Sequence, residues 1–153
     1  MTKRMEISDF IALDRIALDL RVRDKTQLLH ELAARAEAFG SGVRADAILA
    51  ALRSREALGS TGLGKGFALP HARIEGLKQF VGFFARLTRP IDYDAIDGAP
   101  VDLVFLLLMP PEEAGNENVG ALAAVSRRFR DGETVARLRK ADAATTLATL
   151  TGR

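Results

Sequence analysis

Residues 58–73 read LGSTGLGKGFALPHAR, and what this run forms decides the fold. Gly59 to Lys65 spells G-x-x-x-x-G-K, one residue short of a nucleotide-binding P-loop. A P-loop needs a strand before it, a Ser or Thr directly after the Lys to hold magnesium, and a helix after it whose N-terminus faces the phosphates. All three are missing. The residues before Gly59 have helical spacing, with Ile48, Leu49, Leu52 and Leu58 apolar, and Gly66 stands at the Ser/Thr position. Phe67-Ala68-Leu69-Pro70 reads as a strand that Pro70 keeps from becoming a helix. The run is therefore a glycine-rich loop that leads into Pro70-His71, with Arg73 just beyond.

Upstream of the loop, IALDL at residues 16–20 alternates like a short strand. Asp24, followed three residues later by Gln27, resembles a capping box at the start of a helix whose apolar stripe is Leu28, Leu29, Leu32, Ala36 and Phe39. Gly40 and Gly42 end that helix, and the second apolar-periodic run continues to Gly59. Downstream, FALPHA, FVGFFARL from Phe80 and VDLVFLLLMP from Val101 are short, rich in aromatic or aliphatic residues and bounded by Gly or Pro, so they read as strands. The last is apolar enough to be buried on both faces. Asp97-Gly98 supplies a turn that would pair PIDYDAI with VDLVFLLL, and Pro110-Pro111 closes the sheet segment. Helices then follow: one with Leu122, Val125 and Phe129, a segment ETVARLRK after Asp131-Gly132, and a last one capped by Asp142 with Leu147 and Leu150. The order of helices, sheet and helices indicates α/β (α+β) architecture. No linker or internal repeat divides the chain, so one domain over 1–153 is expected.

Composition narrows the function. At 153 residues, 48% hydrophobic and 27% charged, the chain has the profile of a globular domain able to bury its own core. It has no cysteine and two histidines, which excludes disulfides, thiolate metal sites and an all-imidazole metal site. No metal and no cofactor are expected. The start, MTKRMEISDF, lacks the apolar run of a signal peptide, and no segment approaches the roughly 20 apolar residues of a membrane span. A cytoplasmic location without membrane insertion is expected. The net charge of +2 argues against nucleic acid as a partner. Arg127, Arg128, Arg130, Arg137, Arg139 and Lys140 read as solvated helix ends favoured by the macrodipole.

A histidine beside such a loop has one outstanding chemistry. Neutral imidazole is a nucleophile near pH 7, and its attack on a phosphoryl group gives a phosphoramidate that can pass the group on. The transferring group spreads negative charge over its oxygens, so cations and N–H donors supply most of the catalysis. Arg55, Ser60, Thr61 and Arg73 are the available suppliers. Closely spaced glycines also let backbone N–H groups approach an anion. Lys65 reads as a solvated charge at a loop tip, and His30, within an amphipathic helix, receives no function.

The stretch REALGSTGLGKGFALPHAR resembles the signature of the enzyme IIA domains of the phosphoenolpyruvate-dependent phosphotransferase system, fructose and mannitol class. LGSTG is most similar to the nitrogen-regulatory IIA proteins, and PIDYDAIDGAPVDLVFLLLMP and LAAVSRRFRD extend the likeness along the chain. The resemblance implies a single-domain mixed β-sheet flanked by α-helices. It implies that His71 accepts phosphate from an HPr-like phosphocarrier protein and that Arg55 lies against the phosphoryl oxygens. It also implies regulatory target proteins, of which potassium transporters and sensor kinases are two kinds. In the family a second histidine commonly lies near the phosphorylated one, at the start of the helix after the buried strand; Asn118 stands there instead. Asn can donate or accept a hydrogen bond but cannot become a cation, which bears on onward transfer and on the lifetime of the phosphorylated state. Three roles follow. The first is a phosphoryl carrier that regulates partners by its phosphorylation state. The second is a sugar-uptake IIA component passing phosphate to a separate IIB, and the third a binding-only regulator in which His71 is vestigial.

Overall fold

The computed structural model describes residues 5–111 and 117–152. A mixed sheet lies between two helical layers. Its strands are β1 (Ile16–Leu20), β2 (Gly62–Gly64), β3 (Phe67–Ala68), β4 (His71–Arg73), β5 (Val81–Ile91) and β6 (Val101–Met109). They run in the order β1-β5-β6-β3-β2, and β4 also pairs with β6. β1 is parallel to β5, β5 antiparallel to β6, and both β3 and β4 parallel to β6.

The run VDLVFLLLM is the reason the molecule has two cores. Successive side chains of a strand point to opposite faces. Val104, Leu106 and Leu108 of β6 therefore join the core under α1 (Lys25–Ala38) and α2 (Ala45–Ala57). Leu103, Phe105, Leu107 and Met109 join the other core, under α3 (Glu117–Arg130), α4 (Gly132–Leu138) and α5 (Ala143–Thr151). On that second side Phe67 stacks on Phe129 with ring centroids 3.8 Å apart.

Helix starts follow the local chemistry. The Asp24 carboxylate accepts the Gln27 N–H at 2.8 Å, and Asp142 accepts the Thr145 N–H at 2.8 Å, each satisfying an orphan donor of the first turn. The Gln27 amide oxygen turns to the Arg23 N–H at 2.7 Å, one residue earlier than a capping box requires. Gly132 lies inside α4, with Asp131 as its cap.

Three expectations are corrected. Leu58 ends α2 as its C-cap residue and is 84% exposed, because the helix stops before Leu58 can turn to the core. FALPHA is two strands, since Pro70 has no N–H to give; its carbonyl instead accepts the Leu107 N–H at 3.0 Å, and β4 resumes the pairing with β6. PIDYDAI does not form a hairpin strand. β5 itself runs through Pro90 to Ile91, past the last β1 partner at Leu87, and only Ile91 pairs at that end, with Val101. Residues 92–100 form a loop, in which the Asp97-Gly98 turn survives as a bond from the Gly98 N–H to the Ala95 carbonyl at 2.9 Å.

Candidate functional site

The last turn of α2 delivers Arg55 and Glu56 to the glycine-rich loop. Arg55 Nη1 donates to the Gly59 carbonyl at 2.9 Å, and the Gly59 N–H donates to the Glu56 carbonyl at 3.1 Å, so the chain turns tightly out of the helix. The Glu56 carboxylate points inward. It accepts the Thr61 N–H at 3.1 Å, the Thr61 hydroxyl and the Tyr93 hydroxyl at 3.0 Å, and it pairs with Lys25 Nζ at 2.9 Å. Burial alone would raise its pKa; the bonds from Thr61 and Lys25 outweigh that and hold it below the usual carboxylate range. Tyr93 is fully buried, and burial together with the neighbouring Glu56 charge pushes its phenol far above the ordinary value. The Lys25 ammonium also lies 4.4 Å from the centre of the Tyr93 ring.

His71 opens β4. Its Nδ1 lies 2.7 Å from the Leu69 carbonyl oxygen. A carbonyl only accepts, so Nδ1 carries the proton and Nε2 is left as the basic nitrogen. The Leu69 N–H in turn donates to the Thr61 carbonyl at 2.9 Å, tying the approach to His71 back to the loop. Partial burial lowers the imidazole pKa; the Leu69 bond opposes this, Arg55 reinforces it and Glu56 opposes it, and the net direction is down. At neutral pH the side chain is a neutral nucleophile.

The strands explain why the loop is not a P-loop. β2 follows it and pairs with β3 across the Lys65-Gly66 turn, where a P-loop would start a helix. Gly62 is required for close approach: a Cβ there would sit 2.9 Å from Cα and Cβ of Ala95.

Among the residues read from the sequence, Arg55 acts on His71 through its charge, which disfavours protonation of the imidazole. Ser60 and Thr61 face inward. Ser60 Oγ donates to the Tyr93 carbonyl at 2.8 Å and accepts the Gly62 N–H at 3.0 Å. Thr61 is 1% exposed, its hydroxyl bonded to Glu56 and lying 3.1 Å from the Tyr93 hydroxyl. Their hydroxyls, read as phosphate ligands, are spent on the protein itself. Arg73 is exposed on β4, two residues past His71 and opposite Met109. Asn118, in the first turn of α3, is buried; its Nδ2 donates to the Pro110 carbonyl at 3.2 Å while its Oδ1 has no partner among the described residues. Lys65, read as a solvated loop charge, takes a positive φ of 58°, its N–H bonded to Asp97 at 2.9 Å and its carbonyl to Arg139 at 3.0 Å. Glu56, Tyr93 and Lys25 were not singled out in the sequence; the one local signal was an acidic residue next to Arg55.

A protein-family model described as "Phosphoenolpyruvate-dependent sugar phosphotransferase system, EIIA 2" matches residues 9–150. The chain belongs to this EIIA type-2 family. Among its relatives, a nitrogen regulatory protein of Bradyrhizobium diazoefficiens is 45% identical over 135 residues, covering 88% of this chain and 87% of that one. The 2-O-alpha-mannosyl-D-glycerate-specific EIIABC component of Escherichia coli is 33% identical over 90% of this chain, which corresponds to 21% of that larger protein. In structure, the EIIA type-2 chain superposes on the nitrogen regulatory protein IIA-Ntr of Neisseria meningitidis with a TM-score of 0.89 at 37% identity, covering 95% of this chain and 99% of that one. The mannitol IIA of Escherichia coli shares the fold, with a TM-score of 0.77 over 92% of this chain and 98% of that one, at 17% identity. As an EIIA type-2 protein of the nitrogen-regulatory kind, the chain is of a phosphoryl-carrier family. Among its described residues, no helix is long and apolar enough to cross a membrane.

Proposed function

We propose that this chain is a cytoplasmic phosphoryl-carrier and regulatory subunit that takes phosphate onto His71 from an HPr-like phosphocarrier and acts on partner proteins according to its phosphorylation state. The observation that carries the reading is the 2.7 Å contact of His71 Nδ1 with the Leu69 carbonyl, which leaves Nε2 as the basic nitrogen of a ring that the Arg55 charge helps keep neutral. In the transfer, the Nε2 lone pair forms a bond to phosphorus as the phosphorus–nitrogen bond of the donor's phosphohistidine breaks. The bonding pair returns to the donor imidazole. His71 keeps its Nδ1–H throughout, and the Leu69 carbonyl stabilises the positive charge that the ring acquires. Arg55 supplies positive charge to the phosphoryl oxygens, and Arg73 is a second, exposed cation on the same strand as His71. Ser60 and Thr61 hold the loop in shape instead of touching phosphate, and Asn118 stands as a neutral neighbour at the start of α3.

The test is intact mass of the wild type and of His71→Ala after incubation with phosphoenolpyruvate, the first phosphotransferase enzyme and an HPr-like carrier, read under alkaline conditions. One added phosphate on the wild type alone is expected. No addition from a competent donor overturns the reading and favours the binding-only regulator, for which Asn118, at the position where the family commonly carries a second histidine, is the supporting feature. A sugar-uptake role is the second reading, supported by the likeness to the EIIABC component of Escherichia coli. Transfer from phosphorylated chain to a IIB-type acceptor distinguishes it. Potassium transporters and sensor kinases are the target kinds to probe with each phosphorylation state.

A further inference from the structure

We propose that Glu56 is a positioning residue for His71, acting through a hydrogen-bonded path along the backbone of Thr61 and Leu69. The path is continuous. The Glu56 carboxylate accepts the Thr61 N–H at 3.1 Å, the Thr61 carbonyl accepts the Leu69 N–H at 2.9 Å, and the Leu69 carbonyl accepts the His71 Nδ1–H at 2.7 Å. Thr61 and Leu69 are each held next to a paired residue, since Gly62 and Ala68 are ladder partners and Ala68 also pairs with Val104 of β6. A shift at Glu56 therefore reaches the imidazole through backbone that has little freedom to absorb it.

The carboxylate is itself held from three directions. Lys25 arrives from the start of α1, Tyr93 from the loop after β5, and the Thr61 hydroxyl from the loop being positioned. The Glu56 side chain is only 7% exposed, so it has no solvent-facing alternative. Its neighbour Arg55 bonds the Gly59 carbonyl at 2.9 Å, and together the two residues pin both ends of the turn from the end of α2 to Thr61. What the path delivers is a choice of tautomer: with the Leu69 carbonyl in place the proton stays on Nδ1 and Nε2 remains nucleophilic, and with it displaced the two tautomers compete.

A network that merely stabilised the fold would leave the tautomer alone, and this separates the two roles. The measurement is the Nδ1–H to Nε2–H tautomer population of His71, from long-range proton–nitrogen correlation spectra of the full unphosphorylated chain. It is made for the wild type, Glu56→Gln and Tyr93→Phe, with the initial rate of phosphorylation by an HPr-like carrier beside it. The wild type is expected to be almost wholly Nδ1–H. Glu56→Gln is expected to show a mixed tautomer and a rate roughly ten- to a hundredfold lower, the scale set by loss of attack geometry. Tyr93→Phe, which removes only one hydroxyl from the carboxylate, should move both readouts in the same direction by less; if Glu56→Gln does not fold, this variant decides. An unchanged tautomer or an unchanged rate in folded variants overturns the proposal. The rate readout rests on the phosphoryl-carrier reading, whereas the tautomer readout does not. If the wild type accepts no phosphate, the function reading fails, and the tautomer alone decides the role of Glu56.

Discussion

The Nδ1 nitrogen of His71 donates to the carbonyl of Leu69, two residues earlier in the chain, at 2.7 Å. The bond closes across Pro70, and its acceptor Leu69 is tied back through its own N–H to the Thr61 carbonyl. It assigns the ring nitrogens different work, Nδ1 as anchor and Nε2 as nucleophile. Phosphate is therefore expected on Nε2, as read from the nitrogen–phosphorus couplings of the nitrogen-15-labelled phosphorylated protein. Phosphorylation on Nδ1 would mean that the ring leaves Leu69 before it reacts, and the geometry described above would not be the reactive one.

Arg55 faces two ways. Its guanidinium bonds the Gly59 carbonyl, and its charge disfavours protonation of His71. Arg55→Ala is expected to slow phosphate acceptance roughly a hundredfold, the scale of removing one preorganised donor from a developing anion. The same variant should raise the His71 pKa in a proton NMR titration, because one of its depressing influences is gone. Arg55→Lys should restore the charge effect on the titration better than the rate, since an ammonium lacks the planar fork.

The two observations differ in how far the sequence revealed them. Asp24 and Asp142 marked helix starts because a cap bonds within a few residues of itself, and such chemistry is written locally. The near-continuous apolar run of β6 likewise announced burial on both faces. Tyr93 was hidden inside PIDYDAI, whose alternation looks like a hairpin strand. Its hydroxyl bonds Glu56, 37 residues away in sequence, and no local rule connects them. The bonds of Ser60 and Thr61 were hidden for the same reason: a hydroxyl beside a glycine loop looks available to phosphate until the fold brings Glu56 and Tyr93 against it. The family was legible because the motif from Arg55 to His71 is long and specific.

His71 and Glu56 both titrate below their ordinary values in the folded chain. The unfolded chain then binds more protons than the folded one as pH drops below about 6.5 for the imidazole and about 4.3 for the carboxylate. Stability rises with pH through those windows. The contribution of His71 is fully present above about pH 7 and is lost on acidification toward its lowered folded value; that of Glu56 is lost further down. Urea midpoints are expected to fall between pH 7.5 and 5.5, with His71→Gln giving a flatter curve over that upper window. An equal slope in the variant would show that His71 does not carry the effect.

Gly62 has no room for a side chain. An added Cβ would lie 2.9 Å from both Cα and Cβ of Ala95 and 3.1 Å from the Tyr93 ring, and Ala95 cannot retreat without moving the backbone of its loop. Gly62→Ala is expected to cost about 1–3 kcal/mol in urea unfolding, the usual range for overpacking. Because the displaced loop carries Tyr93, phosphate acceptance should slow in the same variant. A neutral substitution would show that residues 92–100 yield readily and that close packing here is not a constraint.

Asn118 separates stability from transfer. Its Nδ2 bond to the Pro110 carbonyl is worth about 0.5–1.5 kcal/mol, while leaving Oδ1 buried without a partner among the described residues costs about 1–3 kcal/mol. These oppose each other, so Asn118→Ala is expected to change unfolding free energy by less than about 1 kcal/mol. A large loss would reveal that Oδ1 is satisfied by ordered water. Asn118→His introduces a group that can carry and exchange a proton, which an amide cannot. Phosphate acceptance from the HPr-like carrier should be little changed, because Nε2 of His71 and Arg55 remain in place. Delivery to a IIB-type acceptor should become faster, measured as loss of phosphohistidine against time with and without acceptor. If acceptance and delivery both stay at the wild-type rate, the residue at this position does not govern transfer, and Asn in place of the second histidine is no mark of a regulatory role.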